Sequence, residues 1–300
     1  MSDETHTTDT SGEDIVPSDD DSTDDAIDPA EQRSVVRDRY ADIAVGSTGC
    51  CGGSGDSGDA GGTVDGSEVV REGVDVDERS RLVGYSEDEL DEVPSGANLG
   101  LGCGNPTAIA SLETGETVLD LGSGGGFDCF LAAREVGESG RVIGVDMTPE
   151  MVEKARENAF ANETSNVDFR LGEIEHLPVA DASVDAVISN CVVNLSPDKP
   201  QVFRDAYRVL RPGGRLAISD VVRTAPVPPE VRRDPESVSA CVAGAATIDE
   251  LDAMLDDAGF AETSIEPKAE SEAFIREWDD ERDPSEYVVS AVIEARKPMQ

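Results

Sequence analysis

The sequence has few positive charges: lysine occurs only four times, and 24 Lys and Arg face 65 Asp and Glu among 300 residues. The formal charge of −41 excludes electrostatic capture of nucleic-acid phosphate or of an anionic membrane face. Long apolar runs are also lacking, whereas a bilayer-spanning helix needs about 20 apolar residues. The N-terminus lacks the basic-then-apolar order of a signal peptide. We therefore expect a soluble, cytoplasmic protein with no nucleic-acid or membrane partner.

Histidine is nearly absent, since only His6 and His176 occur in the chain. The sequence therefore offers few histidines for Ser-His catalysis or for mixed Cys/His metal sites. We expect His176 to be a loop residue rather than a base. No two of the six cysteines have the C-x-x-C spacing of a zinc site. In a reducing cytoplasm we expect no disulfide framework either.

Acidic residues are present along the whole chain rather than on one element. A carboxylate-covered surface with few lysines is typical of adaptation to high salt, because the Debye length falls to about 3 Å at 1 M and self-repulsion is screened. The even spread disfavours a mimic of nucleic acid. We interpret the charge as a halophilic adaptation rather than as part of the function.

The composition divides the chain into four predicted segments. Residues 1–30 carry eleven acids and no Lys or Arg, and we predict a disordered tail there. Residues 31–94 are predicted to form a helical, glycine-rich arm that contains the vicinal pair Cys50-Cys51. Residues 95–225 are predicted to form the ligand-binding core. Residues 226–300 are predicted to cover the substrate and to supply the closing strands.

From Glu116 onward, short buried strands alternate with helices. The strands are predicted over 117–121, 141–146, 167–171, 184–189, 214–220, 262–265 and 287–295. The helices are predicted over 127–136, 149–162, 199–210 and 248–258, with earlier helices over 29–40 and from Ser86. This alternation with short loops predicts an α/β fold with a doubly wound, mostly parallel sheet, closed by an antiparallel edge pair.

A glycine-rich turn, D-L-G-S-G-G-G-F over 120–127, joins the first predicted strand to its helix. Glycines let the backbone approach a ligand, and the helix N-terminus offers unpaired N–H groups. Phe127 stands where a dinucleotide fingerprint needs a small residue, which disfavours a nicotinamide oxidoreductase. The turn instead suits a nucleoside without pyrophosphate. Asp146 ends the second strand, where it can accept hydrogen bonds from two ribose hydroxyls.

Together with Leu-Arg-Pro-Gly-Gly at 210–214, these residues resemble the class I S-adenosylmethionine-dependent methyltransferases over about 95–225. The resemblance implies a seven-stranded Rossmann-like sheet whose last two strands pair antiparallel, with the cofactor across the carboxyl ends of strands one and two. It implies contacts to methionine, ribose and adenine from Asp120, Gly122, Gly124, Gly126, Asp146, Met147, Glu173 and Ile174.

Three cysteines stand where the transferred group should arrive. Cys191 directly follows the fourth strand, Cys103 lies between glycines ahead of the first, and Cys241 lies in the segment expected to fold over strands four and five. Thiolates select soft, thiophilic ions. Three converging sulfurs suit trivalent arsenic, whose lone pair can attack a sulfonium methyl without a protein base. We expect Cys129, by contrast, to fill the core.

The cysteine segments are similar to motifs of arsenite methyltransferases, which detoxify arsenic: LGLGCGNP at 99–106, SNCVVNLSPDK at 189–199 and CVAGA at 241–245, with GVDMTP at 144–149. The resemblance runs from about residue 33 to 265. It implies that arsenite, or its thiol conjugates, binds to Cys103, Cys191 and Cys241. It also implies that Cys50 or Cys51 forms a disulfide with one of these residues during methylation, later reduced by thioredoxin or a small thiol. The adjacent pair equally suits a non-catalytic arsenite-trapping arm.

Two other functions remain open at this point. The first is methylation of another small carbon, nitrogen or quinone acceptor, which predicts a general base near strand four, where Asn190 and Cys191 stand. The second is sequestration of arsenite or antimonite without turnover, which would need neither Asp146 nor the glycine turn. If Cys103, Cys191 and Cys241 lie on unrelated faces of the protein, with no loop closure to unite them, the arsenite assignment reduces to an unspecified alkyl-transfer enzyme.

Overall fold

The structure is a computed structural model that describes residues 27–46, 76–94, 96–232, 234, 237–238, 241–278 and 282–299. Most of the predicted acidic tail, and the pair Cys50-Cys51, lie outside these described residues. The division into four segments stays a prediction, although the first helix begins at Pro29, inside the last two residues of the predicted tail.

One seven-stranded sheet forms the centre of the fold, in the order β3-β2-β1-β4-β5-β7-β6. Its strands are β1 (Thr117–Leu121), β2 (Arg141–Asp146), β3 (Val167–Leu171), β4 (Val184–Asn190), β5 (Leu210–Arg223), β6 (Ala261–Pro267) and β7 (Val288–Arg296). Strands β1 to β5 pair in parallel, whereas β7 runs antiparallel to both β5 and β6. The predicted α/β class and the antiparallel final pair are confirmed, with β6 outermost and β7 inside the sheet.

Helices cover the sheet and its carboxyl edge. They are α1 (Pro29–Val45), α2 (Val76–Val83), α3 (Glu87–Glu92), α4 (Pro106–Ala110), α5 (Phe127–Val136), α6 (Pro149–Ala161), α7 (Lys199–Val209), α8 (Pro229–Arg232), α9 (Ile248–Ala258) and α10 (Glu272–Ile275). Local capping sets several of their starts. Asp28 accepts hydrogen bonds from the two backbone amides that follow Pro29, and Thr247 forms a capping box with Glu250.

Strand β5 is longer than predicted, because it includes the predicted turn over residues 210–214. Leu210 pairs with Val184 and Arg215 with Ala186, so the residues between Leu210 and Arg215 bulge out of the ladder. Gly213, at φ +81°, supplies the left-handed conformation that this bulge requires. The turn therefore interrupts the strand without ending it.

The core is aliphatic on both faces of the sheet, in keeping with an aromatic content of only 4%. A further apolar cluster lies at the carboxyl end of the strands and contains Cys103, Cys191 and Cys241. Val36 of α1 and Phe274 of α10 belong to the same cluster, so helices from both ends of the chain pack around the cysteines. Among the described residues, no helix is long and apolar enough to cross a bilayer.

Candidate active site

A pocket opens at the carboxyl ends of β1, β2 and β4, where residues that follow parallel strands meet at one edge of the sheet. The glycine turn lines one side, Met147 and Ile174 line another, and Asn190 and Cys191 line the end below β4. Helix α1 contributes Arg33, Val36 and Tyr40 to the wall. The predicted nucleoside site and one predicted arsenic ligand therefore share a single cavity.

Three of the four glycines of the turn, Gly122, Gly124 and Gly126, have different surroundings. A Cβ on Gly124, at φ +49°, would meet no atom within 4 Å, so this glycine faces open space in the pocket. A Cβ on Gly122 would lie 2.4 Å from Val192 Cγ2. A Cβ on Gly126 would lie 2.8 Å from the rings of Phe130 and Phe169, and Gly126 does not line the cavity. Gly126 therefore permits packing, whereas Gly124 leaves room for a ligand.

Asp146 connects the end of β2 to the glycine turn. Its Oδ2 accepts a hydrogen bond from the Gly124 amide at 2.9 Å, and its Oδ1 accepts one from the Thr148 amide at 2.8 Å. The side chain is buried, and burial raises its pKa even though both amides oppose the shift. The Thr148 side chain is a third donor to this carboxylate, which therefore keeps at least one of its roughly four acceptor positions for a hydroxyl group of a ligand.

Two further acids, Asp120 and Asp128, lie side by side at the base of the pocket. Burial, followed by the charge of Asp128, raises the pKa of Asp120 well above its usual range. Cys129 is fully buried in the core, as expected, and its thiol donates to Asp120 Oδ2 at 3.2 Å. Burial also raises the pKa of Asp128 to about 6, opposed by hydrogen bonds from Tyr85 and Asn190.

The position of one predicted adenine contact differs from expectation. Glu173 is exposed and does not line the described pocket, whereas Ile174 and Glu175 are buried and do line it. Glu175 accepts a hydrogen bond from Ser196 Oγ at 2.6 Å and lies 3.5 Å from Arg33 Nη2. These partners hold Glu175 inward, so Glu175 replaces Glu173 as the acid of this turn. The neighbouring His176 is exposed, as its prediction as a loop residue requires.

Cys103 and Cys191, 88 residues apart in sequence, form a disulfide with their Cα atoms 6.0 Å apart. Our expectation that a reducing cytoplasm would leave no disulfide framework is wrong for this pair. The Asn190 amide holds both sides of Cys103: its Oδ1 accepts from the Cys103 amide at 3.0 Å, and its Nδ2 donates to the Gly104 carbonyl at 2.8 Å. Ser290 Oγ, on β7, donates to the Cys103 carbonyl at 2.7 Å.

Cys241 lies directly against this disulfide as a buried, free thiol. Its Sγ donates to the Cys191 carbonyl at 3.0 Å. Burial raises its pKa, and the charge of Asp220 raises it further. Cys191 and Cys241 both have left-handed backbones, at φ +53° and +66°, a conformation that costs a non-glycine residue about 1–3 kcal/mol. Cys241 therefore lies next to the Cys103–Cys191 pair, although its sulfur contacts a carbonyl of that pair rather than joining the close cluster of the two sulfurs and Asp220.

Asp220 is a site residue that the sequence did not indicate. One of its carboxylate oxygens and the sulfurs of Cys103 and Cys191 all lie within 4.8 Å of one another. Burial raises the pKa of Asp220 to about 6. Its place near the end of β5 was available from the sequence, but nothing there indicated that the side chain faces the sulfurs.

Known proteins resemble this chain in fold and in sequence. A family model described as a methyltransferase domain matches residues 112–259. An arsenite methyltransferase of Halobacterium salinarum is 60% identical over 271 residues, which cover 90% of this chain and 68% of that protein. The human arsenite methyltransferase is 43% identical over 152 residues, or 48% of this chain and 40% of the relative. A crystal structure of an arsenic(III) S-adenosylmethionine methyltransferase from Chlamydomonas reinhardtii matches with a TM-score of 0.55 and 38% identity, covering 73% of this chain and 72% of that one.

The sheet order, the glycine turn and the matched family model define a class I methyltransferase that uses S-adenosylmethionine. The chain covers more than two thirds of the Halobacterium relative and less than half of the human one. On the first of these similarities, the chain belongs to the arsenite methyltransferase family. Its acidic composition agrees with the halophilic source of that relative.

Proposed function

We propose that this chain methylates trivalent arsenic, with Cys103, Cys191 and Cys241 as the thiols that hold the substrate. One observation carries the proposal: Cys191 lines the same pocket as the glycine turn and Asp146, with the other two cysteines beside it. Methyl donor and acceptor would then occupy adjoining ends of one cavity. Orientation of this kind supplies much of the rate of a group transfer.

The pocket lining fits S-adenosylmethionine. Four acids line it, namely Asp120, Asp128, Asp146 and Glu175, whereas Arg33 is the one Lys or Arg among the described lining residues. Such a lining favours an ammonium group and a sulfonium and disfavours a pyrophosphate. The open space at Gly124 leaves room for a ligand against the backbone. When bound, S-adenosylmethionine supplies a methyl group on a positively charged sulfur.

Different residues of the pocket would bind different parts of the cofactor. Asp120 and Asp128 stand at the base of the pocket, where they can hold the ammonium of the methionine portion. Asp146 can receive a ribose hydroxyl at its remaining acceptor position, while Met147 and Ile174 provide apolar contacts to adenine. Gly126 takes no part in binding under this proposal, because its hydrogen atom faces two phenyl rings.

Arsenite can bind only after the Cys103–Cys191 disulfide has been reduced to two thiols. Three thiols then replace three arsenic-bound hydroxyl groups, and each thiol proton leaves with a hydroxyl as water. The arsenic keeps its lone pair, so no side chain has to act as a base. The need for a reductant supports thioredoxin or a small thiol as a partner and a reducing compartment such as the cytoplasm as the location.

The observed disulfide also fits the end of the reaction. Addition of a methyl cation to the lone pair raises the formal oxidation state of arsenic by two. If two bound thiolates leave together as a disulfide, the sulfurs are oxidised and arsenic recovers two electrons while keeping its methyl group. A water molecule then takes the vacated position on arsenic and releases one proton, which leaves neutral trivalent methylarsenic on the third thiolate. Cys103 and Cys191 are close enough to do this. A role for Cys50 or Cys51 in this step stays a prediction, since both lie outside the described residues.

The test is incubation of the reduced protein with arsenite, a thiol and methyl-labelled S-adenosylmethionine in molar salt, followed by arsenic speciation. Cys191→Ser and Cys241→Ser should each lose methylation while binding S-adenosylhomocysteine nearly as the wild type does. The melting temperature of each variant controls for folding. Full activity in either variant would refute the assignment. Stoichiometric arsenite binding without any methylated product would instead support sequestration.

A further inference from the structure

Asp220 has no free capacity to act as an arsenic ligand. Its carboxylate accepts four hydrogen bonds at 2.8–3.3 Å, from the amides of Val193, Asn194 and Val221 and from Asn194 Nδ2. The side chain is 1% exposed. These neutral donors fix the position of the carboxylate and leave its negative charge in place beside the sulfurs. Any contribution to the reaction must therefore come from that charge.

The positive charge in the reaction moves toward Asp220. The bond between the methyl carbon and the cofactor sulfur breaks, and its electron pair stays on that sulfur, which becomes neutral. The arsenic lone pair forms the new bond to carbon, so the arsenic centre gains one positive charge. Asp128 and Asp146 line the part of the pocket proposed for the cofactor, and their charges favour the state before transfer. A carboxylate at the receiving end favours the state after transfer.

We propose that Asp220 accelerates methyl transfer electrostatically, because its fixed carboxylate stabilises the positive charge that develops on thiolate-bound arsenic. The inference rests on the proposed function. Fixed charges aimed at a developing charge in a site that excludes water have large effects on rate, because they need no reorganisation during the reaction. Asp220 meets these conditions through its burial and its four hydrogen bonds.

Substitution of Lys199 should change the rate in the opposite direction from substitution of Asp220. Lys199 is half-buried, its ammonium donates to the Ser196 carbonyl at 3.3 Å, and its charge interacts electrostatically with both Asp220 and Cys241. Removing this cation makes the potential near the cysteines more negative. If the charge of Asp220 matters, Lys199→Met should therefore accelerate methyl transfer, whereas damage to the structure would slow it.

The experiment measures single-turnover methylation by reduced protein preloaded with arsenite, in molar salt. We expect Asp220→Asn to slow this step by about 100-fold, which is the size of the rate loss when an enzyme loses one group that stabilises a developing charge. Arsenite stoichiometry and S-adenosylhomocysteine affinity should stay within about threefold of wild type. We expect Lys199→Met to accelerate the step by about threefold or more.

Equal slowing of both variants, or unchanged rates in both, would overturn the inference. If Asp220→Asn does not fold, as judged by its thermal melt, Lys199→Met alone decides: a faster step supports the inference and an equal or slower step overturns it. Wild-type protein that binds arsenite but forms no methylarsenic would overturn the proposed function itself. Wild-type methylation with no opposite effect of the two variants would overturn only the role of Asp220.

Discussion

The glycine turn allows its binding and packing roles to be separated by two matched substitutions. Gly124→Ala places a methyl group in open space at a left-handed residue, which costs about 1 kcal/mol of folding free energy. In a protein of this size, that loss lowers the melting temperature by about 2–3 °C. The same methyl group would occupy the cradle proposed for the cofactor. We expect the affinity for S-adenosylhomocysteine to fall at least about tenfold, or 1.4 kcal/mol.

Gly126→Ala should have the opposite profile. Its φ of +95° is unfavourable for alanine, and its Cβ would lie 2.8 Å from atoms of Phe130 and Phe169. Backbone strain and overpacking each cost about 1–3 kcal/mol, so the loss of stability should be about 2–6 kcal/mol. The folded fraction should bind S-adenosylhomocysteine nearly as well as wild type.

Calorimetric melts and titrations with S-adenosylhomocysteine in molar salt measure both quantities for each variant. The reasoning would be refuted if Gly126→Ala lost more affinity than Gly124→Ala, because Gly126 would then contact the ligand. It would also be refuted if Gly124→Ala bound the ligand with unchanged affinity.

Three further predictions concern charge. Asp146→Ala should weaken S-adenosylhomocysteine binding by about 1.5–3 kcal/mol, the scale of hydrogen bonds to a charged group; unchanged affinity in titration would show that the acid is only structural. The pKa of Asp128 is raised to about 6, so the folded protein binds this proton more tightly than the unfolded chain. The wild-type free energy of unfolding, relative to Asp128→Asn, should therefore fall by about 2.3 kcal/mol as the pH rises from 4 to 7, and parallel pH profiles in chemical denaturation would contradict this. The melting temperature should rise between dilute buffer and molar KCl because salt screens the charge of −41, and a melt that does not move with salt would remove the interpretation of the charge as a salt adaptation.

The alternation of strands and helices could be predicted because strands buried on both faces of a parallel sheet are short apolar runs between polar or glycine-rich turns. Strands β1, β2 and β3 and helices α5 and α9 occupy the ranges predicted for them. Helices α2 and α4 were missed because they are short, with eight and five residues. For α4 a signal did exist: Asn105 caps the helix and Pro106 begins it.

The site was less predictable where it depends on tertiary contacts. The pairing of Cys103 with Cys191 requires Asn190 and Ser290, which lie 87 and 187 residues from Cys103 in sequence, and spacing alone cannot assign such a bond. The inward position of Glu175 likewise depends on Ser196 and Arg33, which belong to other elements. The resemblance of the motifs predicted that the three cysteines would lie near one another. The position of Asp220 beside them became apparent only from the folded structure.

The insertion of β7 between β5 and β6 has a consequence for how the molecule assembles. Both neighbours of β7 precede it in the chain. During translation, β5 and β6 are therefore synthesised before the strand that lies between them. Until residues 288–296 emerge, β5 presents an open edge and the Cys103 loop lacks its contact with Ser290. Completion of the thiol cluster therefore waits for the synthesis of residues 288–296 and is a late event of folding relative to strands β1 to β6.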